Sequence, residues 1–244
     1  MTKRIFAIVL MGGFVLVDGL YAAAGSGDGW LSRGRGRRPV GHSRKHYADD
    51  AIMTKEQATC QLFEEINSFD PNIERVRSLI SSHGANVHAL DSFSRNLVHC
   101  IAMNRKAPLS SVREVIDELQ KHKVDFNFLD KWYCPPLYYA LSEKGKLKAV
   151  ATYLLASGAN IEVVAPLNNY TILFRVLDQL QHAWCAGSFD RNVVDSWLGA
   201  IRWLLENKAN PWREDISKKS FVLKAFRMQI PSLTTILSDF NLID

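Results

Sequence analysis

Residues 147–164 read LKAVATYLLASGANIEVV, and this stretch decides the fold. Leu147, Val150, Leu154 and Leu155 recur at the 3.6-residue period of a helix. Gly158 follows as a left-handed stop, a conformation glycine adopts without steric cost. Ala159-Asn160 then open an extended stretch. The phrase returns with variations as RVRSLISSHGANVHAL at 75–90, VREVIDELQKHKVDFNFL at 112–129 and AIRWLLENKANPWRE at 200–214. Each copy keeps the helical spacing: Ile73, Val76, Leu79, Ile80; Val112, Val115, Ile116, Leu119; Leu198, Ile201, Leu204, Leu205. Gly84 stops the first copy, while Lys123 and Lys208 hold that slot in two others, where a Cβ makes the left-handed turn less comfortable.

Ahead of these helices stand further alignable segments. They are DSFSRNLVHCIA at 91–102, DKWYCPPLYYAL at 130–141, PLNNYTILFRVL at 166–177 and DISKKSFVLKAF at 215–226. Each places a polar, turn-prone run before a short apolar helix, and a longer amphipathic helix follows. Equivalent positions Asn96, Pro135, Thr171 and Ser220 are 39, 36 and 49 residues apart. A unit of this length predicts a stacked, quasi-one-dimensional protein whose apolar seams close between neighbours. Such an architecture presents a surface and gives no enclosed catalytic pocket.

The unit resembles the ankyrin repeat, a β-turn followed by two antiparallel helices. Asp91, Asp130 and Asp215 stand in that family's Asp slot, His99 keeps its His, Pro136-Leu137 its Pro-Leu pair and Thr171 its Thr. Leu154-Leu155 with Gly158-Ala159-Asn160 match the second helix and its end. Departures are many: Ser94, Tyr133, Asn169 and Lys218 replace the turn glycine, and Tyr138, Phe174 and Leu223 replace the histidine. The resemblance covers about 60–244. It implies an all-α, ankyrin-like helical repeat solenoid of about five repeats at 52–90, 91–129, 130–165, 166–214 and 215–244, the first and last acting as caps. Thr, or its substitute, caps the first helix and bonds the histidine. Asp accepts backbone N–H bonds and fixes the finger. The family's function implies recognition of a protein partner through the fingers and the concave face of the inner helices. No enzyme activity and no cofactor are expected.

The first 24 residues read as a signal peptide: Lys3 and Arg4, an apolar run from Ile5 to Val17, then Ala22-Ala23-Ala24. The expected location is therefore outside the cell that makes the chain, secreted or periplasmic. The alternative is an uncleaved anchor that makes a membrane-tethered adaptor. Divergent ankyrin-like proteins with such a leader resemble those that intracellular bacteria release toward host targets. Residues 25–51 are Gly-, Arg- and Ser-rich and are expected to be a disordered linker. Between 31 and 48 lie six basic residues and no acid, whereas 51–244 hold 22 basic and 21 acidic residues. The pI near 9.0 thus comes from the tail, and the folded part is close to neutral. The tail reads as a linker or as a segment drawn to acidic surfaces. No nucleic acid is expected as partner, and membrane contact is expected only through the N-terminal segment.

Candidate binding residues are the finger-tip aromatics Phe93, Trp132, Tyr133 and Tyr170. Two roles are open to them: a partner-binding strip, since Trp and Tyr anchor interfaces, or packing of each tip onto its neighbour. Trp203 reads as core. The fourth unit carries an insertion at 184–196, expected as a loop, and loops on rigid scaffolds often carry function. His182 and Cys185 lie within one helical turn there, with no carboxylate to orient them, so a nucleophilic site is the weaker alternative. Neither this pair nor His42 and His46 makes a metal set, which needs four ligands. Four cysteines allow two disulfides, but Cys60 and Cys100 sit in apolar helical patterns, which favours buried free thiols. Asn169-Tyr170-Thr171 is a glycosylation sequon in a eukaryotic secretory pathway.

Overall fold

The computed structural model describes residues 53–142, 146–185 and 191–243. Among them are ten α-helices and no strand. They are α1 (Lys55–Ile66), α2 (Ile73–Ser81), α3 (Leu97–Met103), α4 (Leu109–Lys121), α5 (Pro136–Leu141), α6 (Lys146–Ala156), α7 (Ile172–Cys185), α8 (Arg191–Glu206), α9 (Phe221–Arg227) and α10 (Pro231–Asp239). The class is all-α. Segments 91–102 and 130–141 supply helices α3 and α5, not central strands. Extended pairing among the described residues is limited to two isolated bridges, Ala165 with Tyr170 and Glu214 with Ser220. The segments expected as a leader, 1–24, and as a basic linker, 25–51, lie outside the described residues.

Six of the helices start for a local reason. Thr54 and Gln57 form a reciprocal capping box at α1, and Asn96 with His99 does the same at α3. Asn72 and Ser220 accept from the backbone N–H three residues on, capping α2 and α9. Pro136 and Pro231 occupy the first turns of α5 and α10, where a missing N–H costs nothing. The stops are as regular. After α4, α6 and α8, the left-handed residues Lys123, Gly158 and Lys208 place a following N–H on a carbonyl five residues back: Val124 on Leu119, Ala159 on Leu154, Ala209 on Leu204. At Gly84 this closure runs one residue wider, from Ala85 N–H to Leu79.

Consecutive helices pack as pairs, α1 with α2 through α9 with α10. The odd-numbered helices also touch in order, α1 to α3 to α5 to α7 to α9, and α4 touches both α2 and α6. The core therefore runs along the chain of pairs. Helix α3 is buried on every side from Leu97 to Ala102, as an inner helix flanked by neighbours must be. Small residues at these seams, Ala102, Ala140, Ala151, Ala200 and Ala225, are buried and let helices approach closely.

The insertion of the fourth unit departs from its expected form. It is not a dozen-residue loop, because α7 runs on to Cys185 and α8 begins at Arg191. Val194, Trp197, Leu198 and Ile201 extend one apolar face backward, which makes helix the favourable state. Trp197 is buried and stacks on Tyr138 of α5, with ring centroids 6.3 Å apart. The extra turns thus cover the top of the preceding pair. Residues 186–190 lie outside the described set.

Candidate functional site

Four loops link the pairs at 86–96, 125–135, 160–170 and 210–220; we call them fingers 1 to 4. Each opens with the same turn. The side-chain oxygens of Asn86, Asp125, Asn160 and Asn210 accept from the backbone N–H two residues on, at 2.8–3.0 Å. Neighbouring turns are tied: Asn127 Oδ1 accepts from Asn160 N–H at 2.6 Å, and Glu162 Oε1 from Asn210 N–H at 2.7 Å.

The tips follow a second rule. Asp91 Oδ1 accepts from the N–H groups of Phe93 and Arg95, Asp130 Oδ1 from Trp132 and Cys134, and Asp215 Oδ1 from Ser217 and Lys219. The other oxygen reaches a different side chain each time: the Arg95 guanidinium, the Tyr139 hydroxyl and the Lys224 ammonium. Burial would raise the Asp91 and Asp215 carboxyls, but these bonds outweigh it and hold both below the usual range. Finger 3 has no Asp; its turn is one residue longer, with Ala165 N–H bonded to Tyr170 O. The position three residues after the Asp slot is left-handed in all four tips, at Ser94, Tyr133, Asn169 and Lys218. These are the residues that replace the turn glycine.

Of the candidate aromatics, Phe93 and Trp132 come together. Their rings stack at 5.5 Å, and Lys131 N–H bonds Phe93 O at 3.1 Å, tying finger 2 to finger 1. The Lys131 ammonium lies 4.0 Å from the Phe93 centroid and 4.4 Å from Trp132, and the Arg95 guanidinium 4.7 Å from Phe93. Phe93 stays 38% exposed and Tyr133 36%, while Trp132 is half-buried. Tyr170 does not join them. It stacks on Phe174 at 5.1 Å and accepts a bond from Lys224, whose ammonium sits 4.3 Å over its ring. Phe93, Trp132 and Tyr170 thus pack onto neighbouring rings, and Phe93 and Tyr133 keep an accessible face.

His99 is the internal strut of this region. It is fully buried at the end of the α3 capping box, and its Nε2 lies 3.1 Å from Cys134 O in finger 2. Its Nδ1 lies 2.8 Å from Asn96 Oδ1 and 3.3 Å from Asn96 N, so both ring nitrogens are engaged. Burial lowers its pKa, so the ring is neutral. Asn96 thus performs the capping expected of a threonine. Thr171 does not: its hydroxyl is buried with no hydrogen-bond partner among the described residues, and Phe174 stands where the histidine would.

Comparison with known proteins gives no matching family model and no matching curated relative.

His182 and Cys185 are both exposed on α7. Among the described residues no group of three or more His, Cys, Asp or Glu side chains is placed to hold a metal ion. All four cysteines are free; burial pushes Cys100 up to about 11 and Cys134 to about 12. Cys60, expected inside, is exposed, because α1 turns Ala58, Leu62 and Ile66 inward instead.

Sequence reasoning missed the most exposed apolar tips. Leu167 is 68% exposed and Ile216 66%, and both occupy the slot directly after the Asp position, where fingers 1 and 2 carry Ser92 and Lys131. Aligning that slot across the four tips reveals them. Ile216 N–H bonds Asn168 O at 3.3 Å, so the two tips adjoin as fingers 1 and 2 do.

Proposed function

We propose that residues 53–243 form an ankyrin-like helical stack that binds a protein partner through its fingers and inner-helix face. The observation that carries this reading is the stacked Phe93–Trp132 pair under Lys131 and Arg95, on two adjacent tips tied by a backbone bond. Aromatic and arginine side chains dominate binding hot spots. Here they sit on turns whose Asp and backbone groups are satisfied internally, so little ordering entropy opposes association. The two registers of finger bonds, and the odd helices touching in order, support the repeat. A signal peptide at 1–24, as the sequence reads, would put that partner outside the producing cell.

Partner capture with the wild type, Trp132→Ala and Tyr133→Ala tests the surface. Trp132→Ala is expected to weaken the captured complex by about thirtyfold, in line with ~2 kcal/mol for a hot-spot residue. Tyr133→Ala, which leaves the Phe93–Trp132 stack intact, is expected to weaken it less. Equal affinity for all three proteins refutes the finger-tip surface. Sequencing the N-terminus of the mature protein tests export: a start near Gly25 removes the tethered form, and a start at Met1 removes the exported one.

A further inference from the structure

We propose that fingers 3 and 4 form a contact site for an anionic lipid bilayer, independent of the protein-binding surface on fingers 1 and 2 and additional to any contact by the N-terminal segment. Leu167 and Ile216 stand side by side on adjoining tips, two-thirds exposed, in the slot where the other fingers place a polar residue. Ile216 is followed, after Ser217, by Lys218, whose side chain is 85% exposed, and by Lys219.

Charge singles out the same region. Between 207 and 227 stand six basic residues and two acidic ones, in a folded part that is otherwise near neutral. One of the two acids, Asp215, is buried and spent on the turn and on Lys224, and Glu214 lies 3.9 Å from Lys218. Lys219 and Arg227 have no carboxylate partner among the described residues. Trp212 and Phe226, within the same stretch, are each 57% exposed.

Protruding aliphatics beside an exposed lysine fit a membrane better than a folded partner. Leucine is under-represented among protein hot spots, which are aromatic or arginine groups set in pockets. Two shallow grooves, at Gln61, Glu65 and Arg75 and at Arg77, Asp117 and Lys121, belong to α1, α2 and α4. A bilayer needs no pocket. It takes apolar tips into the headgroup boundary, seats tryptophan at its interface and attracts lysine to its charged surface. Among the described residues no helix is long and apolar enough to cross a membrane, so the contact is peripheral.

The test uses the full chain with Cys60→Ser and Cys185→Ser, which leaves only buried thiols. An environment-sensitive fluorophore is attached at Ser217→Cys in finger 4 or at Ser92→Cys in finger 1; both serines are exposed. With vesicles of 70% phosphatidylcholine and 30% phosphatidylserine, the finger 4 label shifts to the blue and the finger 1 label does not. Pure phosphatidylcholine vesicles give a weaker shift. Lys218→Ala and Lys219→Ala each lower the partition coefficient about fivefold, and Leu167→Ser and Ile216→Ser about tenfold each. Vesicle binding without a shift at finger 4 assigns attachment to another segment and overturns the proposal. A shift produced by an acidic leucine-bearing peptide but not by vesicles reassigns the site to a peptide partner and overturns it too. Failure of partner capture in the Trp132 experiment leaves these outcomes unchanged.

Discussion

Fingers 1 and 2 differ from fingers 3 and 4 in chemistry, although every tip carries one left-handed residue. In the first pair, apolar groups fall two positions after the Asp, at Phe93 and Trp132, and they lean sideways onto each other. In the second pair they fall one position after the Asp slot, at Leu167 and Ile216, and they project. The slot, more than the residue type, decides whether an apolar side chain is packed or presented. The pairs also differ in bracing. Finger 2 is held by Asp130, by Tyr139 and by His99 reaching from α3, whereas finger 3 lacks both the Asp and the histidine.

The bracing difference predicts unequal sensitivity. Asp130→Ala leaves two backbone N–H groups and the Tyr139 hydroxyl without their acceptor, and should cost about 3 kcal/mol in urea unfolding. Asn168→Ala in finger 3 removes one acceptor, for Tyr170 N–H, and should cost about 1 kcal/mol. Equal losses would show that the two pairs are braced alike.

His99→Ala comes next, at about 2 kcal/mol, since it orphans Cys134 O and leaves a void. Its pH signature has a definite sign. The folded pKa is lowered by burial, so the unfolded chain takes up the proton first, and the ring's contribution is present above about pH 6.5 and lost as pH falls toward the folded value. Unfolding midpoints of the wild type and the variant should therefore converge on acidification. A gap that widens instead removes the strut.

Asp178 tests the other pair. Burial raises its carboxyl pKa, against the pull of Lys224, His182 and Arg175. A raised carboxylate is a penalty at neutral pH, relieved as the folded form takes up its proton before the unfolded one does at its ordinary value. Asp178→Asn should therefore raise the urea midpoint at pH 7 and leave it unchanged near pH 3. No change at either pH refutes that balance.

The smallest effect belongs to the helix stops. Lys123→Gly removes a Cβ from a left-handed residue at φ 55° and should stabilise by up to about 1 kcal/mol, while Gly158→Ala at φ 105° should destabilise. Thermal unfolding of the two variants reads both signs.

The helices were legible because their apolar spacing is regular and their stops repeat. The helix stops were legible as well, since Gly84, Lys123, Gly158 and Lys208 share one slot after the helix, and each has positive φ. Legibility failed where tertiary contacts override local pattern. The stretch at 184–196 reads as a loop because it exceeds the repeat by about a dozen residues, yet Val194 and Trp197 are buried, Trp197 on Tyr138, and α8 starts at Arg191. Tyr170 looked like a tip aromatic, but the longer turn of finger 3 aims it at Phe174. Nothing in the sequence alone ranks Leu167 as exposed; only its slot among four fingers does.

Asn169 carries a consequence for covalent modification. Its Nδ2 donates to Glu214 O at 2.7 Å, and the Thr171 hydroxyl of the same Asn-Tyr-Thr triplet is buried. Once the chain has folded, a sugar-transferring enzyme meets neither the amide nor the hydroxyl it must engage. Attachment of a glycan here is a race won before the fourth and fifth helix pairs close, and a sugar added in time would hold those two fingers apart.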